Sequence, residues 1–217
     1  MKIDKVIMYL SFFGAVFFLS QTLINTKKFE AEKKANAILN DSIRYVNGAN
    51  RYYSDLLEFK IKYSNSLINK VGIKAYDISA DTAKLLQTNI HSLIVRSKCS
   101  LFLRYTEIGC NECSNLTIEK LKVLNHAHPE LPIYILVDFT NYDAYLQWRK
   151  VADVNFPVFF VKKGEIAFDE GCNNYSYLFL ADNRETAYNF FIPNSRMPDL
   201  LDYYLKNAYK LTTENSL

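Results

Sequence analysis

Several things are scarce in this chain of 217 residues, and each scarcity closes off a class of function. Its four cysteines are too few for a disulfide scaffold, and only Cys110 and Cys113 are closely spaced. An excess of one charge is missing too: 26 basic and 23 acidic residues leave a formal net charge of +3. No concentrated basic stripe occurs, so no nucleic-acid partner is expected. There is no Gly-rich phosphate loop and no Ser/His/Asp set, and Lys162-Lys163 reads as exposed turn charge rather than a phosphate site. Histidine is rare as well. His91 reads as a surface or satisfied residue. His126 and His128 follow the cysteine pair, but a zinc finger separates its histidines by three to five residues. Along a continuous helix they would also lie about 20 Å from Cys113, so one shared ion is not expected. Cys99 and Cys172 stand alone and read as buried structural thiols. Neither a metal nor a cofactor is expected.

Residues 6–24 contain no charge at all and are rich in Phe, Leu, Ile and Val. As a helix this segment reaches roughly 28 Å, close to the hydrocarbon thickness of a bilayer. Lys2 and Lys5 precede it while Lys27 and Lys28 follow it, so flanking charge alone does not orient it. We read residues 1–26 as a signal anchor with the N-terminus inside, because the remaining chain lies on one side. The competing reading is a cleaved signal peptide, but no small-x-small cleavage site follows and no cysteine is near for lipidation. Over residues 27–70, Leu39, Ile43, Val46, Tyr53, Leu57, Ile61 and Ile68 recur at helical spacing, which predicts an amphipathic helical linker. A heptad seam would put Asn50, Lys60 and Ser64 in its core, with Gly48 interrupting it, so a long coiled coil is not expected. A globular domain is expected over 71–211, with a tail at 212–217.

The chain is organised around Leu101-Phe102-Leu103-Arg104-Tyr105, a short apolar and aromatic run that predicts a buried strand, and the turn Thr106 to Gly109 that follows. Then comes Cys110-Asn111-Glu112-Cys113. After the cysteines Leu116, Ile118, Leu121, Val123 and Leu124 fall at helical spacing, so the pair sits on the first turn of a helix. Amides there have no partner inside the helix and carry partial positive charge, which favours a thiolate on the first cysteine. The thiolate is the species that attacks a disulfide. Glu112 between the cysteines opposes that charge, so the pair is not expected to be a strong oxidant. Arg104 is expected either to pair with Glu107 or to leave Glu107 solvated.

Around this motif, residues 80–94 predict a helix. Ile133 to Val137 form an unbroken apolar run typical of a strand covered on both faces. Residues 141–151 predict a second helix and Phe156 to Val161 a short strand whose Pro157 suits an edge or a strand start. Tyr177 to Leu180 and Ala187 to Ile192 flank Asp182-Asn183-Arg184-Glu185 and predict a hairpin. Residues 198–209 close the domain as a helix with Pro198 in its first turn. The sum is an α/β fold: a mixed sheet with helices on both faces.

This order, with Cys110 and Cys113 at an early strand-to-helix turn, resembles the thioredoxin fold. The extra elements around Trp148 and Phe156-Pro157-Val158 resemble the TlpA and redoxin branch, membrane-tethered proteins of the bacterial envelope. The resemblance covers roughly residues 78–211. It implies that Cys110 attacks a substrate disulfide and Cys113 resolves the mixed disulfide, with protein thiols or disulfides of the envelope as partners and an electron donor the sequence does not name. It implies an inner-membrane, single-pass protein whose C-terminal domain faces the periplasm. Two positions depart from the family: Gly109 stands where an aromatic residue is usual, and the place of a cis-proline facing the cysteines falls to Ser176. Gly109 and Ser176 are therefore the expected substrate-binding positions. A hairpin starting at Val158 would put Pro157 there instead. A non-catalytic binding module of the same fold is the alternative function.

Overall fold

The structure is a computed structural model that describes residues 3–68, 72–77, 84–95, 97–172 and 174–214, without the side chains of 3–11, 72–77, 84–88 and 214. The chain divides into two compact units, Met1–Ser54 and Asp55–Leu217. Helix α1 (Ile3–Tyr63) contributes to both and runs without interruption through Gly48. In the first unit Phe12, Phe13, Phe17 and Phe18 are 62–77% exposed. Among the described residues no helix is long and apolar enough to cross a membrane. The side chains of residues 6–11, part of the expected anchor at 6–24, lie outside the description.

The second unit begins earlier than the expected boundary at Val71, because the last turns of α1 belong to its core. Leu56, Phe59 and Tyr63 are buried. The expected linker helix therefore ends at Tyr63 rather than residue 70, and Ser66–Leu67 forms a two-residue strand, β1. Next come β2 (Gly72–Asp77), β3 (Lys84–Asn89) and the short helix α2 (His91–Ile94). The helix expected over residues 80–94 is thus corrected: residues 80–83 fall outside the description, and Lys84–Asn89 pairs antiparallel with β2 along its whole length. Long-range pairing decides such a stretch against its local helical spacing.

The core strands are β4 (Cys99–Tyr105), β5 (Ile133–Val137), β6 (Val158–Phe160), β7 (Tyr177–Asp182) and β8 (Thr186–Phe191). The eight strands form one mixed sheet in the order β1-β8-β7-β4-β5-β6-β2-β3. β4 is central, parallel to β5 and antiparallel to β7. All of its residues are buried, Ser100 and Arg104 included, as expected for a central strand covered on both faces. The β7–β8 hairpin forms as its sequence predicts, with a register irregularity opposite Asn189, whose φ of 52° is a left-handed value suited to a bulge.

Both faces of the sheet are covered. On one, Phe102 stacks with Phe179, and Phe179 with Phe190. Phe59 of α1 and Phe168 of a 3-10 turn (Ala167–Cys172) pack edge-on against Phe190. On the other, α5 (Pro198–Glu214) lays Tyr204 flat against Phe191, and Tyr204 Oη donates to Asn189 O. Helix α3 (Asn111–Ala127) joins α5 through Lys120 and Asp202. Helix α4 (Tyr142–Val151) is capped by Asn141, whose side chain accepts from Asp143 N and Ala144 N.

Candidate redox site

Strand β4 delivers the chain to a turn at residues 106–109, and α3 starts immediately beyond. Cys110 is the N-cap of α3, and its Sγ accepts from Cys113 N at 3.2 Å. Cys110 and Cys113 are joined as a disulfide with their Cα atoms 5.3 Å apart. The two sulfurs differ in access: Cys110 is half-buried and Cys113 is 7% exposed. Glu112, on the same first turn, is exposed.

Gly109 is required by space. A Cβ there would lie 2.4 Å from Thr106 Oγ1 and 2.7 Å from Asn174 O. No aromatic residue could occupy this position without moving a backbone carbonyl, which explains the departure noted in the sequence. Gly109→Ala is expected to destabilise the fold by roughly 1–3 kcal/mol through overpacking, read as a lowered Tm in a thermal melt.

Ser176 lies immediately before β7, the strand that pairs with β4, whereas Pro157 lies immediately before β6 and gives its carbonyl to Ile135 N. The hydroxyl of Ser176 is buried. Its Oγ accepts from Thr106 N at 3.2 Å and lies 2.8 Å from Ser114 Oγ, which also sits 3.1 Å from Cys110 O. Ser114 has one hydroxyl proton, so it serves one of these neighbours at a time. Thr106 Oγ1 donates to Asn174 O at 2.5 Å. Thr106, Ser114 and Asn174, none of them singled out in the sequence, thus tie the 106–110 turn to the 174–176 segment. A Ser/Thr pair spaced around the cysteines was the available signal. Exposed apolar side chains stand on both segments: Ile108 at 74% and Tyr175 at 49%.

Behind the turn, Tyr105 packs on Phe139 and Trp148, and its hydroxyl donates to Asn111 Oδ1 at 3.4 Å. Burial, then the nearby charges of Asp138 and Glu107, push the Tyr105 phenol up to about 12. The other two cysteines are free, buried and apart from this pairing. Cys99 Sγ lies 3.1 Å from Tyr188 Oη. Burial pushes both thiols above their ordinary range, Cys172 far more than Cys99. Such thiols are poor nucleophiles.

The expected alternatives for Arg104 resolve differently. Glu107 is exposed, whereas Arg104, fully buried, forks onto Asp169 through Nε at 3.1 Å and Nη2 at 2.9 Å. His91 pairs with Glu185.

No family model matches the chain, and no curated protein matches it. Solved structures do. The thioredoxin domain of a thiol-disulfide oxidoreductase from Bacteroides vulgatus is 12% identical with a TM-score of 0.46, the match covering 65% of this chain and 97% of that one. A thiol:disulfide interchange protein from Bacteroides sp. is 11% identical with a TM-score of 0.44, covering 66% and 90%. Thioredoxin peroxidase I of Plasmodium yoelii is 13% identical with a TM-score of 0.50, covering 70% and 92%. Likeness at this identity shows a shared fold and no more. The fold and the site together define a thioredoxin-like α/β domain with a Cys-x-x-Cys disulfide at the strand-to-helix turn.

Proposed function

We propose that this protein is a membrane-tethered thiol-disulfide oxidoreductase of a bacterial envelope, with its second unit facing the periplasm. One observation carries the reading: the disulfide joins a half-buried Cys110 at a helix N-terminus to a buried Cys113 on the first turn. In the reaction the Cys110 thiolate attacks one sulfur of a substrate disulfide, and the other substrate sulfur leaves as a thiol. Cys113 then attacks Cys110 Sγ, closing the present disulfide and releasing the second substrate thiol. The helix N-terminus favours the attacking anion, while Glu112 opposes it, which favours a reductase or carrier over a strong oxidant. Ile108 and Tyr175, exposed on the two segments beside the cysteines, would meet the substrate near Gly109. Ser176, its hydroxyl buried, would contribute by holding its segment in place.

The anchor rests on residues 6–24 and on the exposed phenylalanines of α1. Each such side chain gains about 1.5–3 kcal/mol by leaving water, and a bilayer provides that burial.

Catalysed reduction of a generic peptide disulfide by the whole chain, supplied with a dithiol, tests the activity. Retention in a carbonate-washed membrane pellet tests the tether. No acceleration over the dithiol alone, with the partner-binding capacity intact, would favour the binding-module reading.

A further inference from the structure

Arg104 is a fully buried cation in the central strand, and its contacts reach both segments that frame the disulfide. Beyond the fork onto Asp169, Nη1 donates to Val161 O at 3.0 Å, and Nη2 lies 3.9 Å from Asp138 Oδ2. The two carboxylates are each 6% exposed. Asp169 passes the constraint to one segment: its Oδ1 accepts from Tyr177 Oη at 2.9 Å, next in sequence to Ser176, and its Oδ2 accepts from Gly164 N at 3.2 Å. Asp138 passes it to the other. Its Oδ1 accepts from Glu107 N at 2.7 Å, three residues before Cys110.

We infer that Asp138, held by Arg104, is a positioning residue for the Cys110–Cys113 pair, acting through the Glu107 amide to fix the turn that delivers Cys110 to α3. This inference rests on the redox reading proposed above. Glu107 has an exposed side chain, so its main-chain N–H is the described tie at that point of the turn, and a bond to a carboxylate is stronger than one between neutral groups. Fixing the turn keeps the two sulfurs close in the dithiol as well as in the disulfide. Ordering the dithiol in this way raises the effective concentration of one sulfur at the other and so favours ring closure. In that closure the two thiols lose two protons and two electrons, and glutathione disulfide takes them up to leave as two glutathione thiols.

Titration of the whole chain against glutathione reads the effect. Asp138→Ala is expected to lower the equilibrium constant for disulfide formation about tenfold, equal to about 30 mV towards a more oxidising potential. Asp138→Asn keeps an acceptor oxygen for Glu107 N but loses the carboxylate charge, and is expected to shift the potential in the same direction by less than Asp138→Ala does. A folded Asp138→Ala protein with an unshifted potential overturns the inference, as does an Asp138→Asn shift equal to that of Asp138→Ala. Hydrogen exchange on the unsubstituted protein reads the same tie without any variant: the Glu107 amide should be protected in both oxidation states, and exchange at the rate of a free amide overturns it. If the unsubstituted pair cannot be oxidised reversibly, the redox reading itself fails and this inference with it.

Discussion

Cys113→Ser is expected to trap a mixed disulfide between Cys110 and its substrate, and Cys110→Ser to abolish turnover to the uncatalysed background. The asymmetry follows from access. Cys110 is half-buried at the cap of α3, and Cys113, at 7% exposure, lies behind it. With serine at 113 the first attack still proceeds, but no thiolate remains to resolve the product, so the adduct persists until an external thiol removes it. With serine at 110 there is no exposed thiolate to start. Cys99 and Cys172 cannot substitute, since both are buried and burial raises both thiols. Non-reducing electrophoresis with mass spectrometry distinguishes the two variants. Equal trapping by both would mean that the order of attack assigned here is wrong.

Arg104→Leu carries the largest expected cost in stability. It leaves Asp169 and Asp138 as like charges, each 6% exposed, without their cation. Breaking a buried pair from one side costs about 3–5 kcal/mol, or roughly 6–20 °C in Tm for a domain of this size. Denaturant unfolding with an unchanged m-value checks it. Adding Asp169→Leu should recover part of the loss, because removing both members of a buried pair leaves fewer uncompensated charges. The same core predicts alkaline sensitivity. Burial, then the charge of Asp169, holds the Tyr177 phenol and the Cys172 thiol above their ordinary values of 10.0 and 9.0. Their folded-state values are raised, so the stability they contribute is complete below about pH 9 and is lost as pH rises beyond it. A fall in Tm between neutral pH and pH 10 is the expected result.

The legible parts of this chain were those specified locally. The run from Leu101 to Tyr105, the turn to Gly109 and the helical spacing after Cys113 state strand, turn and helix in consecutive residues, and the structure has them so. Asp182-Asn183-Arg184-Glu185 likewise places the hairpin, and Ser176 ahead of it. Residues 84–89 were misread because their strand exists by pairing with β2, a partner that local spacing does not reveal. The end of α1 was misread for the reverse reason: Phe59 looks like one more aromatic residue in a linker, yet it packs against Tyr177 and Phe190. Arg104 is a partial signal. A cation inside an otherwise apolar strand demands buried acids, and Asp138, directly after the apolar run of β5, is one that the sequence places close by. Asp169, 65 residues away, is not marked by any local pattern.

The most direct test of the proposed chemistry is a redox titration of the whole chain, with differential thiol labelling and mass spectrometry to locate the bond. The account predicts a reversible disulfide confined to Cys110 and Cys113, with Cys99 and Cys172 reduced throughout and a potential well below that of a strong oxidant. Two thiols at 110 and 113 that never pair, or a bond involving Cys99 or Cys172, would contradict it.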